Sequence, residues 1–155
     1  MLSSTGMRNH KLLTGSVKAG VDGGVLRIYG STVSRAEALT FVPSSADDAI
    51  GSAVLLATIS VDGLGTGINM AATVNNGVLA KSTSEVWEGD YVATGYPSFA
   101  RFSSLTDDGS SSTTEKRLQL TVGVVDSEII ISQELKTSGD TQRIDSFYLA
   151  EPEGS

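Results

Sequence analysis

The chain reads as an all-β protein, an antiparallel β-sandwich of jelly-roll or immunoglobulin-like type with a flexible N-terminal arm. Three observations point there. Ser, Thr and Gly are abundant, while charged residues make up only 19% of the 155 residues, a composition suited to short strands joined by many turns. Short β-branched or alternating runs recur between Gly, Asp and Asn turn signals. Residues 93–102, Ala93-Thr94-Gly95-Tyr96-Pro97-Ser98-Phe99-Ala100-Arg101-Phe102, form an alternating aromatic strand on which the others can pack. The length fits one domain with a hydrophobic core of its own, assigned to residues 21–155, with residues 1–20 as the arm.

In order along the chain, residues 1–20 are polar, with Gly6, Gly15 and Gly20 and the apolar pair Leu12-Leu13. Terminal arms of this kind stay unstructured unless something holds them, so Leu12 and Leu13 are candidate interface residues. The stretch lacks a continuous apolar region and does not read as a signal peptide; Met1 and Met7 are both candidate starts. Asp22-Gly23-Gly24 turns into a first strand, Val25–Tyr29. Arg35–Leu39 predicts one helical turn, stopped before Pro43. Ser44–Gly51 has a Ser cap and a terminal Gly and predicts a second.

Val54–Val61 is the most apolar segment and predicts a strand buried on both faces at its start. Asp62-Gly63 is a hairpin signal, and Gly63, Gly65 and Gly67 space a loop. Ile68–Val74 alternates weakly as a partner strand, Asn75-Asn76-Gly77 turns again, and Val78–Lys81 is short. Ser84–Asp90 reads as a loop carrying the single Trp. Residues 103–116 are almost wholly polar and predict an exposed, mobile loop. Arg117–Val125 is a strand with Leu118, Leu120 and Val122 on one face. Ile129–Leu135 follows, and Ile144–Leu149 is the last strand, stopped by Pro152.

Charge narrows the partners. The net charge is −7. Residues 1–77 hold five acids and five bases, so the excess lies in residues 78–155, with thirteen acids against six bases. Phosphate binding needs clustered Lys and Arg, so nucleic acid is not an expected partner. An acidic surface suits solubility or docking on a basic protein. No apolar run approaches the ~20 residues of a membrane helix. With no cysteine, disulfides and thiolate metal sites are excluded.

No catalytic constellation is visible, and no cofactor or metal is expected. His10 is the lone histidine, in the arm, so neither a His-based triad nor a multi-His zinc site can be built. Gly63-Leu64-Gly65-Thr66-Gly67 has no helix after it to bind a dinucleotide phosphate. Asp47-Asp48 and Asp107-Asp108-Gly109 offer oxygen ligands without calcium-loop spacing, and both read as turn formers. Trp87, Tyr91, Tyr96, Phe99 and Phe102 read first as half of the core. Trp87 and Tyr96, placed in turns by the pattern, are candidate interface anchors. Alternation turns Arg101 outward.

Three blocks carry a resemblance. The first is Leu26-Arg27-Ile28-Tyr29-Gly30-Ser31 followed by residues 46–59, Ala46-Asp47-Asp48-Ala49-Ile50-Gly51 onward. The second is Gly77–Lys81, Val86-Trp87-Glu88-Gly89, Ala93-Thr94-Gly95 and Phe99-Ala100-Arg101-Phe102. The third is Lys116-Arg117-Leu118-Gln119, Thr121-Val122-Gly123 and Gly139–Phe147. In this order and spacing, over about residues 25–150, the chain resembles small virion structural proteins of tailed bacteriophages. The resemblance implies a virion component without enzymatic activity. The favoured role is a capsid decoration (cement) protein on the outer shell, bound to the major capsid protein and other virion proteins, as a homo-oligomer with a trimer favoured. The alternatives are a tail or neck component, or a module presenting loops 62–67 and 103–114 to a host glycan or receptor.

Overall fold

The computed structural model describes residues 1–151. The chain is all-β with a minor helical part. The order is β1 (Leu2–Ser3), α1 (Thr5–Leu13), α2 (Val17–Val21), β2 (Val25–Ser31), α3 (Arg35–Thr40), β3 (Val54–Val61), β4 (Val78–Ala80), β5 (Trp87–Asp90), β6 (Tyr96–Ser103), β7 (Leu118–Gly123), β8 (Ile129–Ile130), β9 (Thr141–Ile144) and β10 (Tyr148–Ala150). Eight strands form one sheet in the order β1-β7-β6-β2-β3-β5-β9, with β8 also on β7. β4 and β10 form a separate two-stranded ribbon, giving a sandwich-like layout. Pairing is antiparallel except between β7 and β8.

Strand β6 is the middle of this arrangement, and it is buried from Pro97 to Ser103. Its alternation sends Ala100 and Phe102 to one face and Phe99, Arg101 and Ser103 to the other. The first face joins the main core, with Leu26, Ile28, Leu56, Ile59, Trp87 and Phe147. Phe102 meets Trp87 edge-on at 5.9 Å. The second face holds a smaller cluster, where Phe99 stacks on Tyr29 at 5.1 Å with Ala53, Phe41, Val42 and Ile50 around them. The β2–β6 ladder shifts register between Tyr29 and Gly30. A Cβ at Gly30 would collide with the Tyr96 carbonyl, so the shift needs glycine there.

The turn signals are realised as expected. Asp62 and Gly63 both have positive φ, as do Asn76 and Gly77. Both pairs close tight turns of the hairpin-favoring mirror type, with Leu64 donating to the Val61 carbonyl and Val78 to that of Asn75.

The N-terminal segment corrects the expected arm. Ser4 caps α1, its hydroxyl accepting from Met7 N–H at 3.1 Å. The same hydroxyl accepts from Arg117 N–H at 2.9 Å and donates to the Glu115 carbonyl at 2.7 Å. Met7 is fully buried in the main core, and Val21 of α2 joins it. Leu2 and Ser3 pair with Gln119 and Leu118. Two short capped helices, each contributing one apolar anchor, suffice to hold a segment that looks polar in sequence.

Other differences have local causes. The helical turn at 35–39 is present as α3, whereas residues 44–51 form turns with no helix. Val54 and Leu55 stand at the surface, each 37% exposed, against the expectation of burial on both faces at the start of this strand. Residues 68–74 make only isolated bridges, Ile68 with Gly24 and Met70 with Lys81. Trp87 starts a strand instead of sitting in a loop, and Tyr96 likewise starts β6. The expected last strand is split, since Asp145–Phe147 separates β9 from β10, which pair with different partners. Pro152, expected as its stop, lies outside the described residues.

Candidate interaction surface

A buried polar network lies between the second face of the sheet and the segments that cover it. Arg117 is fully buried and clasps Asp107 with two bonds, Nε to Oδ2 at 2.7 Å and Nη2 to Oδ1 at 2.6 Å. It also donates to the carbonyls of Ala46 at 3.2 Å and Ser110 at 2.7 Å. Arg101, expected to point outward, is only 1% exposed. Its Nε donates to Gln119 at 3.0 Å and its Nη2 reaches the Ser45 carbonyl at 3.4 Å, while Nη1 has no protein partner. Gln119 in turn donates to the Pro43 carbonyl at 2.7 Å. Residues 43–46 and 107–117 are therefore tied to the sheet by guanidinium and amide groups. The loop 103–116 is largely exposed as expected, but it is held at Ser103, Asp107 and Gly109, which are buried, and by the Arg117 bonds to Asp107 and Ser110.

Electrostatics follow from this geometry. Burial alone pushes the Asp107 carboxyl up, but the bonds from Arg117 and the Gly109 amide outweigh it and hold it below the ordinary aspartate value. Burial, followed by repulsion from Arg117, lowers Arg101. Two buried cations thus share one buried carboxylate. Asp47 receives Thr5 N–H at 2.7 Å and the Thr5 hydroxyl at 2.5 Å, fixing the start of α1. Both acidic pairs singled out in the sequence contribute a carboxylate to internal bonding. Among the described residues, no group of three or more His, Cys, Asp or Glu side chains is placed to hold a metal ion.

The four candidate interface residues fall in different environments. Leu12 and Leu13 end α1 at 83% and 89% exposure. Trp87 is fully buried between Phe102 and Phe147, with Nε1 donating to Glu85 at 2.9 Å. It is a core residue and does not anchor a partner, because the strand pairing of β5 turns its indole inward. Tyr96 is half-buried at the first position of β6, opposite Ser31. His10, expected to be solvated, is partly covered, packs against Gly15 and Gly20, and has a buried Nε2 without a partner.

Lys11, on the same helix as the leucine pair, borders a groove of about 410 Å³ lined by Val17, Val74, Leu79, Leu118 and Leu149, and the leucines themselves stay outside it. One end is bounded by Lys11 of α1, 3.3 Å from Glu151. Large apolar side chains exposed together are a usual mark of an interaction face. Burying each leucine would contribute about 1.5–3 kcal/mol. The groove brings together α2, β4, β7 and β10, elements far apart in the chain, so only Leu12-Leu13 was visible beforehand.

These features describe an all-β protein with a pinned polar layer and one protruding apolar pair. No protein-family model matches the chain, no curated protein matches it, and no solved structure matches it.

Proposed function

We propose that the chain is a non-enzymatic structural protein of a tailed-bacteriophage virion, a capsid decoration protein that docks on the outer shell and bridges capsomers. The observation that carries this reading is the Leu12-Leu13 pair, almost fully exposed at the end of an anchored helix. A rigid helix holding two leucines in water suits docking better than a free arm would, since little ordering entropy is lost on binding. The resemblance of residues 25–150 to small phage virion proteins supplies the context, and the acidic second half suits a basic partner surface. Many copies on one shell, acting as a homo-oligomer of which a trimer is the favoured form, would add avidity that a single small interface lacks.

The test uses Leu12→Ser with Leu13→Ser, since deleting residues 1–20 would also remove Met7 from the core. Cosedimentation with undecorated capsids of the encoding phage should show binding of the parent chain and its loss in the double variant. Unchanged attachment of the variant, binding of the parent to isolated tails alone, or selective binding to host glycans would overturn the proposal.

A further inference from the structure

A groove of about 570 Å³ lies on the outer face of the sheet, over β3 and β5. Its lining combines two features. Leu55, Leu64 and Val92 are large apolar side chains at the surface, the last two 82% and 69% exposed. Asp62, Glu88 and Asp90 are its charged residues, so every charge in the lining is negative. The strands explain why these groups gather. Trp87, Gly89 and Tyr91 are buried, so alternation turns Glu88, Asp90 and Val92 outward together. Val92 N–H donates to the Leu56 carbonyl at 2.8 Å, which sets Val92 and Leu55 at one end of the groove. Asp62 N–H donates to the Val86 carbonyl at 2.9 Å, which sets the Asp62-Gly63 turn and Leu64 at the other. Among the described residues, none of the three carboxylates belongs to an ion pair; Asp90 accepts from the Thr141 hydroxyl at 2.6 Å. The bases beside the groove in the ladders are engaged elsewhere. Arg27, opposite Thr58, donates to the Ser104 and Leu105 carbonyls at 3.1 and 2.8 Å. Arg143, opposite Glu88, is held by Asp145 at 2.9 Å.

We propose that this groove docks a basic amphipathic helix of a partner protein, with apolar side chains on Leu55, Leu64 and Val92 and Lys or Arg on Asp62, Glu88 and Asp90. Charge names the partner. A cleft lined by one sign of charge concentrates the opposite sign, and an acidic surface would meet three unpaired carboxylates. The floor names its shape. β3 is paired with β2 and β5, and β5 with β3 and β9, so the floor offers no free strand edge to an extended segment. A helix satisfies its own backbone and binds through one face of side chains. Glu88 and Asp90, two residues apart on one strand face, are separated by roughly 7 Å. That is close to the ~5–6 Å between positions i and i+4 of a helix, so two basic residues at that spacing meet both carboxylates. This inference goes beyond the virion reading and stands without it.

The test uses a helical peptide of about fifteen residues, built from alanine, leucine and lysine with the leucines in one stripe flanked by lysines. It is titrated into the isotope-labelled full chain and followed by calorimetry and amide chemical shifts. Saturable binding is expected, with shifts confined to residues 54–64 and 86–92. Glu88→Gln with Asp90→Asn should weaken it by about fivefold or more. Glu134→Gln with Asp126→Asn removes the same charge from residues outside the lining and should leave the affinity within about twofold. Leu64→Ser with Val92→Ser should weaken binding by about tenfold or more. A peptide with glutamate for lysine, or one whose helix is interrupted by proline, should bind more weakly than the parent peptide, and these two peptides decide the matter if a groove variant fails to fold. Five results would overturn the proposal: no binding at millimolar peptide, equal weakening by the two neutralised pairs, undiminished binding of the glutamate or proline peptide, shifts outside the groove, or self-association of the free chain through these residues.

Discussion

Asp107→Asn tests how much the buried network contributes to stability. The substitution keeps the shape of the side chain but removes the carboxylate that, among the described residues, is bonded to Arg117, leaving two buried guanidinium groups without a bonded counter-charge. Breaking one partner of a buried pair costs about 3–5 kcal/mol. For a chain of this length each kcal/mol lowers Tm by about 2–4 °C, so a fall on the order of 10 °C is expected in a thermal melt followed by circular dichroism. The pH dependence gives an independent check. Folding lowers the Asp107 carboxyl, so its contribution is complete above the unfolded value and is lost as pH falls through the folded one. The parent chain should therefore lose stability progressively below about pH 4, and Asp107→Asn should lose less over the same range. A variant that melts within 2 °C of the parent, with the same acid slope, would refute the reasoning and show the network to be energetically idle.

Three further outcomes follow. Trp87→Ala should destabilise by about 3–5 kcal/mol in a denaturant titration, because its indole fills the junction of Phe102 and Phe147; a nearly neutral effect would contradict its placement in the core. Ser4→Ala removes a helix cap together with the bonds to Arg117 and Glu115, and should cost about 1–2 kcal/mol by the same titration. Leu12→Ser with Leu13→Ser should leave stability within about 0.5 kcal/mol, so any loss of docking in that variant can be assigned to the surface.

Sequence and structure agree at the strongly patterned strands. Val54–Val61 ends at an Asp-Gly turn, and the strand has those bounds. The period-2 pattern of Leu118, Leu120 and Val122 places all three in the core. Agreement fails where a distant segment supplies the partner. Arg101 shares a face of β6 with Phe99 and lies opposite Phe102, but no periodicity shows that residues 43–46 and 107–117 will roof that face. Met7 is one apolar residue in a polar stretch, and its burial depends on Ser4 meeting Arg117. Leu12-Leu13 stands out in the sequence as an apolar pair, while the groove bordered by Lys11 is assembled from four separate parts of the chain. Trp87 was misplaced because Glu85, Glu88 and Gly89 around it resemble a loop, although only one face of β5 is buried.

The pairing of Leu2 and Ser3 with Leu118 and Gln119 has a consequence for biosynthesis. Leu2 and Ser3 dock onto residues made more than a hundred positions later. At the ~5–20 residues per second of translation, the N-terminal helices must wait several seconds beside the ribosome before their seat exists. During that wait Met7 and the leucine pair have no internal partner. The polar setting of those three side chains, with lysines, serines and glycines around them, then acts as protection for the nascent chain, and N-terminal apolar substitutions should lower soluble yield even where the finished fold would tolerate them.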